Sequence, residues 1–378
     1  MTHRSWIVIV SCLALVACSS EPTPGDAATP ADAVSDAGTT PDTATADVPE
    51  EDTGVAPDAP AVDVPPPEDV SSVDAGAATE GEVLTAAFAP WDIGLGGGFV
   101  YVAEGNNIQR VPVAGGAPTL VYTTGSSSVA TQSVAADAAR VAWTERNANS
   151  TVSGAVRACP HAGCATPMGI PAMESTQRVA INGDAVAWTS ASLSRVFWSA
   201  GAMGSGGSTS PGGNLSHASP TAVAIAGGDG FWTAGGLALA MRPGAVLRCS
   251  LGSSACTPTE LSNAVGNPSA LAVRGADVFV ISTTGVFRMG RDGSGLTRIA
   301  EGYRGTGGFV DAVTDGATLY WTDAENVYRC AVATCAPAVH ATAPSGQRVV
   351  GLEIDAEYVY FGTADIPRRA GSVRRARR

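Results

Sequence analysis

The chain has 378 residues, room for two or more ordinary domains, and only 15% of them are charged. Its formal net charge of −13 comes from residues 19–80, which hold 15 Asp or Glu and no Arg or Lys; the remainder sits near +2 (−13 + 15). The acidic balance therefore does not describe the folded surface, and no nucleic-acid partner is expected. All 22 basic residues are Arg.

The first 17 residues read as an export signal. Arg4 supplies the positive region, and Trp6 to Val16 is an apolar run too short to span a bilayer comfortably. The run ends in Leu15-Val16-Ala17-Cys18, which resembles a bacterial lipobox. That resemblance implies acylation of Cys18, and with Ser19 rather than Asp after it, an outer-membrane or cell-surface destination. The alternative is an ordinary secretory signal with an incidental Cys.

Residues 18–80 follow as a tether. They are rich in Ala, Asp, Pro, Thr, Val and Ser and lack aromatic residues. One-sign charge with little apolar surface cannot offset the entropy of ordering, so this segment is expected to be disordered, and extended by its own repulsion and prolines.

From residue 81 to 378 one phrase recurs seven times. Its copies centre on Val102, Trp143, Trp188, Trp232, Val280, Trp321 and Phe361, at steps of 41, 45, 44, 48, 41 and 40. Such a period with strand-like phrases predicts a radial array of four-stranded blades, an all-β seven-bladed propeller. The copy at Trp321 divides into strands Asp311–Thr314, Thr318–Thr322, Val327–Val332 and Ala338–Thr342. The last copy lacks one strand after Ser372 to Arg377, whereas Val83 to Phe88 lies ahead of the first copy with no partner. The economical closure pairs that N-terminal segment with the last blade, because an open sheet edge invites aggregation.

Of eight Cys, Cys12 falls in the signal and Cys18 in the lipobox. The other six fall as Cys159 with Cys164, Cys249 with Cys256 and Cys330 with Cys335. Each couple stands where a third strand gives way to a fourth, so three local disulfides are expected in an exported protein. The spacing is not C-x-x-C and only His161 is near, so zinc is disfavoured.

Tyr320-Trp321-Thr322-Asp323 is identical to the signature of the YWTD propellers of low-density-lipoprotein-receptor ectodomains, and residues 82–378 resemble YWTD and NHL-like repeats of bacterial exported lipoproteins. The other copies depart from it: Trp stands in four of seven, and a final acid only at Glu104, Glu145 and Asp323. Receptor rings have six blades, so ring size does not carry over. The resemblance implies a propeller with a bias toward protein or glycan binding on one face.

No G-x-S-x-G, H-E-x-x-H or phosphate-cradling loop occurs, and Ser126 to Ser128 lack an evident base. The recurring Asp137, Asp184, Asp229, Asp277, Asp315 and Asp355 read as turn formers; a calcium reading would aim them at the channel. Arg110, Arg248, Arg288, Arg329 and Arg375 recur in the third strands, where cation–π stacking on the neighbouring Trp positions is expected. Binding residues belong to the connections between outer and inner strands and between second and third strands, which share one face. The candidates are Gln132, Glu145, Arg146, Gln177, His217, Arg242, Tyr303 and Arg304. The expected function is a monomeric, non-catalytic, cell-envelope lipoprotein that binds an exported protein or glycan, with no cofactor, metal or catalytic residue. The alternative is a metal-dependent lactonase- or lyase-like enzyme acting at the central channel.

Overall fold

The computed structural model describes residues 78–378 apart from 87, 150–152, 173–174, 191, 200–207, 210–219, 236–242, 253–255, 302–309, 366 and 368–369. Seven four-stranded antiparallel sheets form seven blades. Blade one comprises Asp92–Gly96, Phe99–Glu104, Asn107–Pro112 and Thr119–Thr123. Blade two comprises Val129–Ala136, Arg140–Asn147, Gly154–Pro160 and Met168–Ala172. Blade three comprises Thr176–Asn182, Ala185–Ser190, Arg195–Ser199 and the two-residue Ser208–Thr209. Blade four runs through Pro220–Ala226, Asp229–Ala234, Ala245–Ser250 and Thr259–Ser262, and blade five through Pro268–Arg274, Asp277–Ser282, Gly285–Gly290 and Thr297–Ala300. Blade six runs through Ala312–Thr314, Thr318–Thr322, Asn326–Ala331 and Ala338–Thr342. Each inner strand touches the next, and that of blade seven touches that of blade one, so the ring is closed.

Closure takes the expected form. Blade seven takes its inner three strands from Gln347–Ile354, Tyr358–Asp365 and Gly371–Arg377, and its outer strand from Glu82–Thr85. Glu82 registers with Arg375 and Val83 with Arg374. Leu84 and Phe88 are buried against Ile93, Val102 and Tyr360, so the N-terminal segment seals the junction of the last and first blades. Arg375 makes a two-pronged ion pair with Glu82, at 2.9 Å for both nitrogens, which adds direction to the pairing.

The repeat is a core repeat. All seven central residues are buried, at 0–5% exposure, and lie between neighbouring sheets. The Thr that follows three of the four central Trp residues has a second role. Thr144, Thr189 and Thr322 are fully buried, and their hydroxyls accept the backbone N–H of Ser133, Arg178 and Asp311 at 3.0–3.2 Å. In blades two and three the register slips at that point, between Thr131 and Val134 and between Thr176 and Val179. A hydroxyl thus satisfies a donor that the bulge removes from the ladder.

The three disulfides join the expected partners, with Cα–Cα separations of 5.3, 6.0 and 4.8 Å. In each, the second Cys lies in the connection ahead of the outer strand rather than within that strand.

The stacking expectation requires correction. Arg110, Arg248, Arg288, Arg329 and Arg375 register with Tyr101, Phe231, Phe279, Tyr320 and Tyr360, the residues just before the central positions. Because strand side chains alternate faces, these guanidiniums lie on the opposite side of the sheet from the central Trp residues. Arg110 stacks on Phe99 at 4.3 Å and Arg375 on Tyr358 at 4.6 Å, while Arg288 grips Asp277 with two bonds of 3.0 Å.

Candidate functional site

Two faces of the ring differ in how regular their connections are. On one face, the turns between inner and second strands are two or three residues long, and the third-to-outer connections run from six to eight. The recurring aspartates serve these turns. Asp137, Asp315 and Asp355 each accept two backbone N–H groups at 2.7–2.9 Å, while Asp184, Asp229 and Asp277 pair with Arg140, Arg248 and Arg288. On the other face, second-to-third connections range from the two residues 283–284 to the ten residues 235–244. Outer-to-inner connections there range from 173–175 to 301–311.

The central channel, a cavity of about 320 Å³, is lined by the inner strands of all seven blades. Most of its wall is Val, Ala, Ile and Leu, and its charged groups are Asp92, Arg178, Asp311 and Glu353. Asp92, Ser133, Arg178 and Asp311 each stand ten residues before the central position of their repeat. That places Asp92, Arg178 and Asp311 at or near the start of their inner strands, on the side of the variable connections, and Ser133 within its longer one.

These groups link one blade to another. Asp92 Oδ2 accepts the Ser133 hydroxyl at 2.6 Å, the Val134 N–H at 3.3 Å and Arg178 Nη1 at 3.5 Å. Ser133 in turn accepts the Val179 N–H at 3.3 Å, and Asp311 Oδ2 accepts the Leu352 N–H at 3.1 Å. Gly351 makes room for this arrangement, since a Cβ there would stand 2.9 Å from Asp92 Oδ1 and from the Ile93 nitrogen.

One guanidinium therefore acts on two carboxyl groups, Asp92 and Asp311, while Glu353 feels only those two acids, and all three carboxyls respond. Burial pushes Asp92 up to about 6, with Asp311 adding to the rise and Arg178 opposing it. Burial also raises Asp311 against the pull of Arg178. Glu353 is raised well above the usual range by burial, then by repulsion from Asp311 and Asp92. Among the described residues, no three His, Cys, Asp or Glu are grouped to hold a metal ion. As a chemical object the mouth is a small polar collar on an otherwise apolar bore, with its charge set by pH.

The sequence candidates fall unevenly around this collar. Gln132 and Gln177 are half-buried immediate neighbours of Ser133 and Arg178. Glu145 is buried and accepts Trp143 Nε1 at 3.2 Å and Arg157 Nε at 2.8 Å, within its own blade. It borders a separate cavity of about 270 Å³ with Asn147, Ser153 and Arg157. Arg146 is exposed at the end of its strand on the variable face. Cys18, His217, Arg242, Tyr303 and Arg304 lie outside the described residues.

No protein-family model matches the chain, and no curated protein matches it. Among solved structures it is similar to a chain of a nidogen/laminin complex, at 15% identity and TM-score 0.48, covering 65% of this chain and 92% of that one. It is similar to a chain of a mitotic checkpoint complex, at 12% identity and TM-score 0.56, covering 84% and 99%. It is also similar to a prolyl endopeptidase, at 13% identity and TM-score 0.52; 75% of this chain matches 47% of that one, so the chain spans about half its length. At such identities the likeness is one of fold, and the fold is the β-propeller.

Proposed function

We propose that the chain is a cell-envelope lipoprotein, anchored through Cys18, whose propeller binds an exported protein or an envelope glycan without catalysis. The observation that carries this reading is the asymmetry between the faces. One face has short turns pinned by aspartates; the other has connections of up to eleven residues around the collar of Asp92, Ser133, Arg178 and Asp311. Variable loops on a rigid scaffold are the usual place of recognition. The YWTD- and NHL-like phrase agrees with a binding role, and the acidic segment 18–80 gives the ring reach from the membrane. Affinity capture from envelope extracts tests the proposal, using the intact chain beside one in which 235–244 is shortened to a four-residue Gly-Ser link. A captured protein or glycan lost with the shortened loop supports the reading; identical captures refute it.

One observation favours a catalytic alternative: three carboxyl groups with raised affinity for protons share the channel with an Arg. A lactonase- or lyase-like activity there would disappear in Asp311→Asn and leave capture by the loop face intact.

A further inference from the structure

On the short-turn face, a third cavity of about 530 Å³ is lined by Thr318, Tyr320, Arg329, Cys330, Ala338 and Arg378, among others. Its defining feature is the fate of one arginine among five equivalents. Arg110 stacks on Phe99 and donates to the His161 carbonyl at 2.7 Å. Arg248 pairs with Asp229, Arg288 with Asp277, and Arg375 with Glu82 and Tyr358. Across the sheet, the residue that supplies the Asp in blades four and five and the ring in blades one and seven is Thr318 in blade six. Thr318 offers neither charge nor ring. Arg329 is accordingly exposed and, among the described residues, has no ion pair or hydrogen bond.

The surroundings of Arg329 select for negative charge. Arg378 crosses the same cavity, held by Asp315 and by the Asp355 carbonyl at 2.7 Å, and its guanidinium lies 5.7 Å from the centre of the Tyr320 ring. Tyr320 is 2% exposed, and its hydroxyl accepts Arg378 Nε at 3.5 Å. His340 meets the Tyr320 ring edge-on at 5.5 Å, and its Nε2 is buried with no hydrogen-bond partner. Burial, with the charge of Arg329 added, pushes His340 down to about 4. The Cys330–Cys335 disulfide fixes the connection that walls the cavity.

We propose that this cavity is a carboxylate-binding site, in which Arg329 supplies the charge-assisted bonds. A planar carboxylate matches the guanidinium fork in two parallel bonds. The ligand is a free molecule that bears a carboxylate.

The test is NMR on the purified full chain, reading the His340 ring proton, assigned through its loss in His340→Gln, while acetate is titrated in. An open site gives a saturable shift in the wild type that Arg329→Gln weakens about tenfold and Arg329→Lys only partly. No saturable shift in the wild type overturns the proposal, as does an unchanged response in Arg329→Gln. Inorganic phosphate binding more tightly than acetate overturns the assignment to a carboxylate.

Discussion

Asp92→Asn should make the protein more stable at neutral pH. In the fold, the Asp92 carboxyl rises from 3.8 to about 6, chiefly through burial. A carboxyl so raised favours the folded state fully below 3.8, and that advantage is lost as pH rises through 6. Once both states are ionised the loss amounts to about 3 kcal/mol. Asn keeps an oxygen to accept the Ser133 hydroxyl and the Val134 N–H, while Arg178 retains Asp311 as its counter-charge. For a domain of roughly 300 residues, 3 kcal/mol corresponds to a rise of about 5 °C in melting temperature. The assay is thermal and urea denaturation of both proteins at pH 4.0 and 7.5. The gain should be present at 7.5 and absent at 4.0. His340 works in the opposite sense: pushed down to about 4, it favours the fold above 6.5 and loses that contribution as pH falls. Being only partly buried, it contributes less than its shift alone would suggest. As pH rises the wild type should therefore lose the contributions of Asp92, Asp311 and Glu353 and gain that of His340, and the variant removes the Asp92 share. A variant less stable than the wild type at pH 7.5, or a difference that does not change with pH, would refute the reasoning.

Two further outcomes follow from the core. Trp143→Ala removes a fully buried ring that packs on Tyr122 at 5.0 Å, and should destabilise by about 3–5 kcal/mol in denaturant titration, with no change in the disulfide map. Thr322→Val keeps the volume but strips the Asp311 N–H of its acceptor, and should cost about 1–3 kcal/mol. Exchange of the Asp311 amide should be faster in that variant, and an unchanged exchange rate would show that the hydroxyl does not hold the start of the inner strand.

The fold was largely legible because its period is set by packing. A forty-residue spacing of Trp, Val and Phe marks residues that must all meet the neighbouring sheet, and turn aspartates and local cysteines keep the same phase. The closing strand was legible from a deficit, since the seventh repeat is one strand short and Val83 is unpartnered in its own. The collar was harder to see. Its position is filled by Asp92, Ser133, Arg178, Ala222, Ala270, Asp311 and Gly351, which share no residue type, so only the count of ten back from the central position finds it. The arginines misled for a related reason: with alternating faces, a one-residue offset from Trp321 to Tyr320 moves Arg329 across the sheet. Glu145 carries the charge expected of a binding residue, yet its carboxylate is occupied by Trp143 and Arg157, a fact that depends on register rather than composition.

Ring closure underlies every site described above, and a cross-strand cysteine pair tests it directly. Val83 and Arg374 are register partners between the first and last strands of the fold. Val83→Cys with Arg374→Cys should oxidise to a single bond that peptide mapping places between those two positions, leaving the three native bridges intact. Closing so long a loop should add about 5 kcal/mol of stability. An introduced pair that stays reduced under oxidising conditions, or whose N-terminal thiol is found bonded to a native cysteine instead, would contradict a ring sealed by its N-terminal strand.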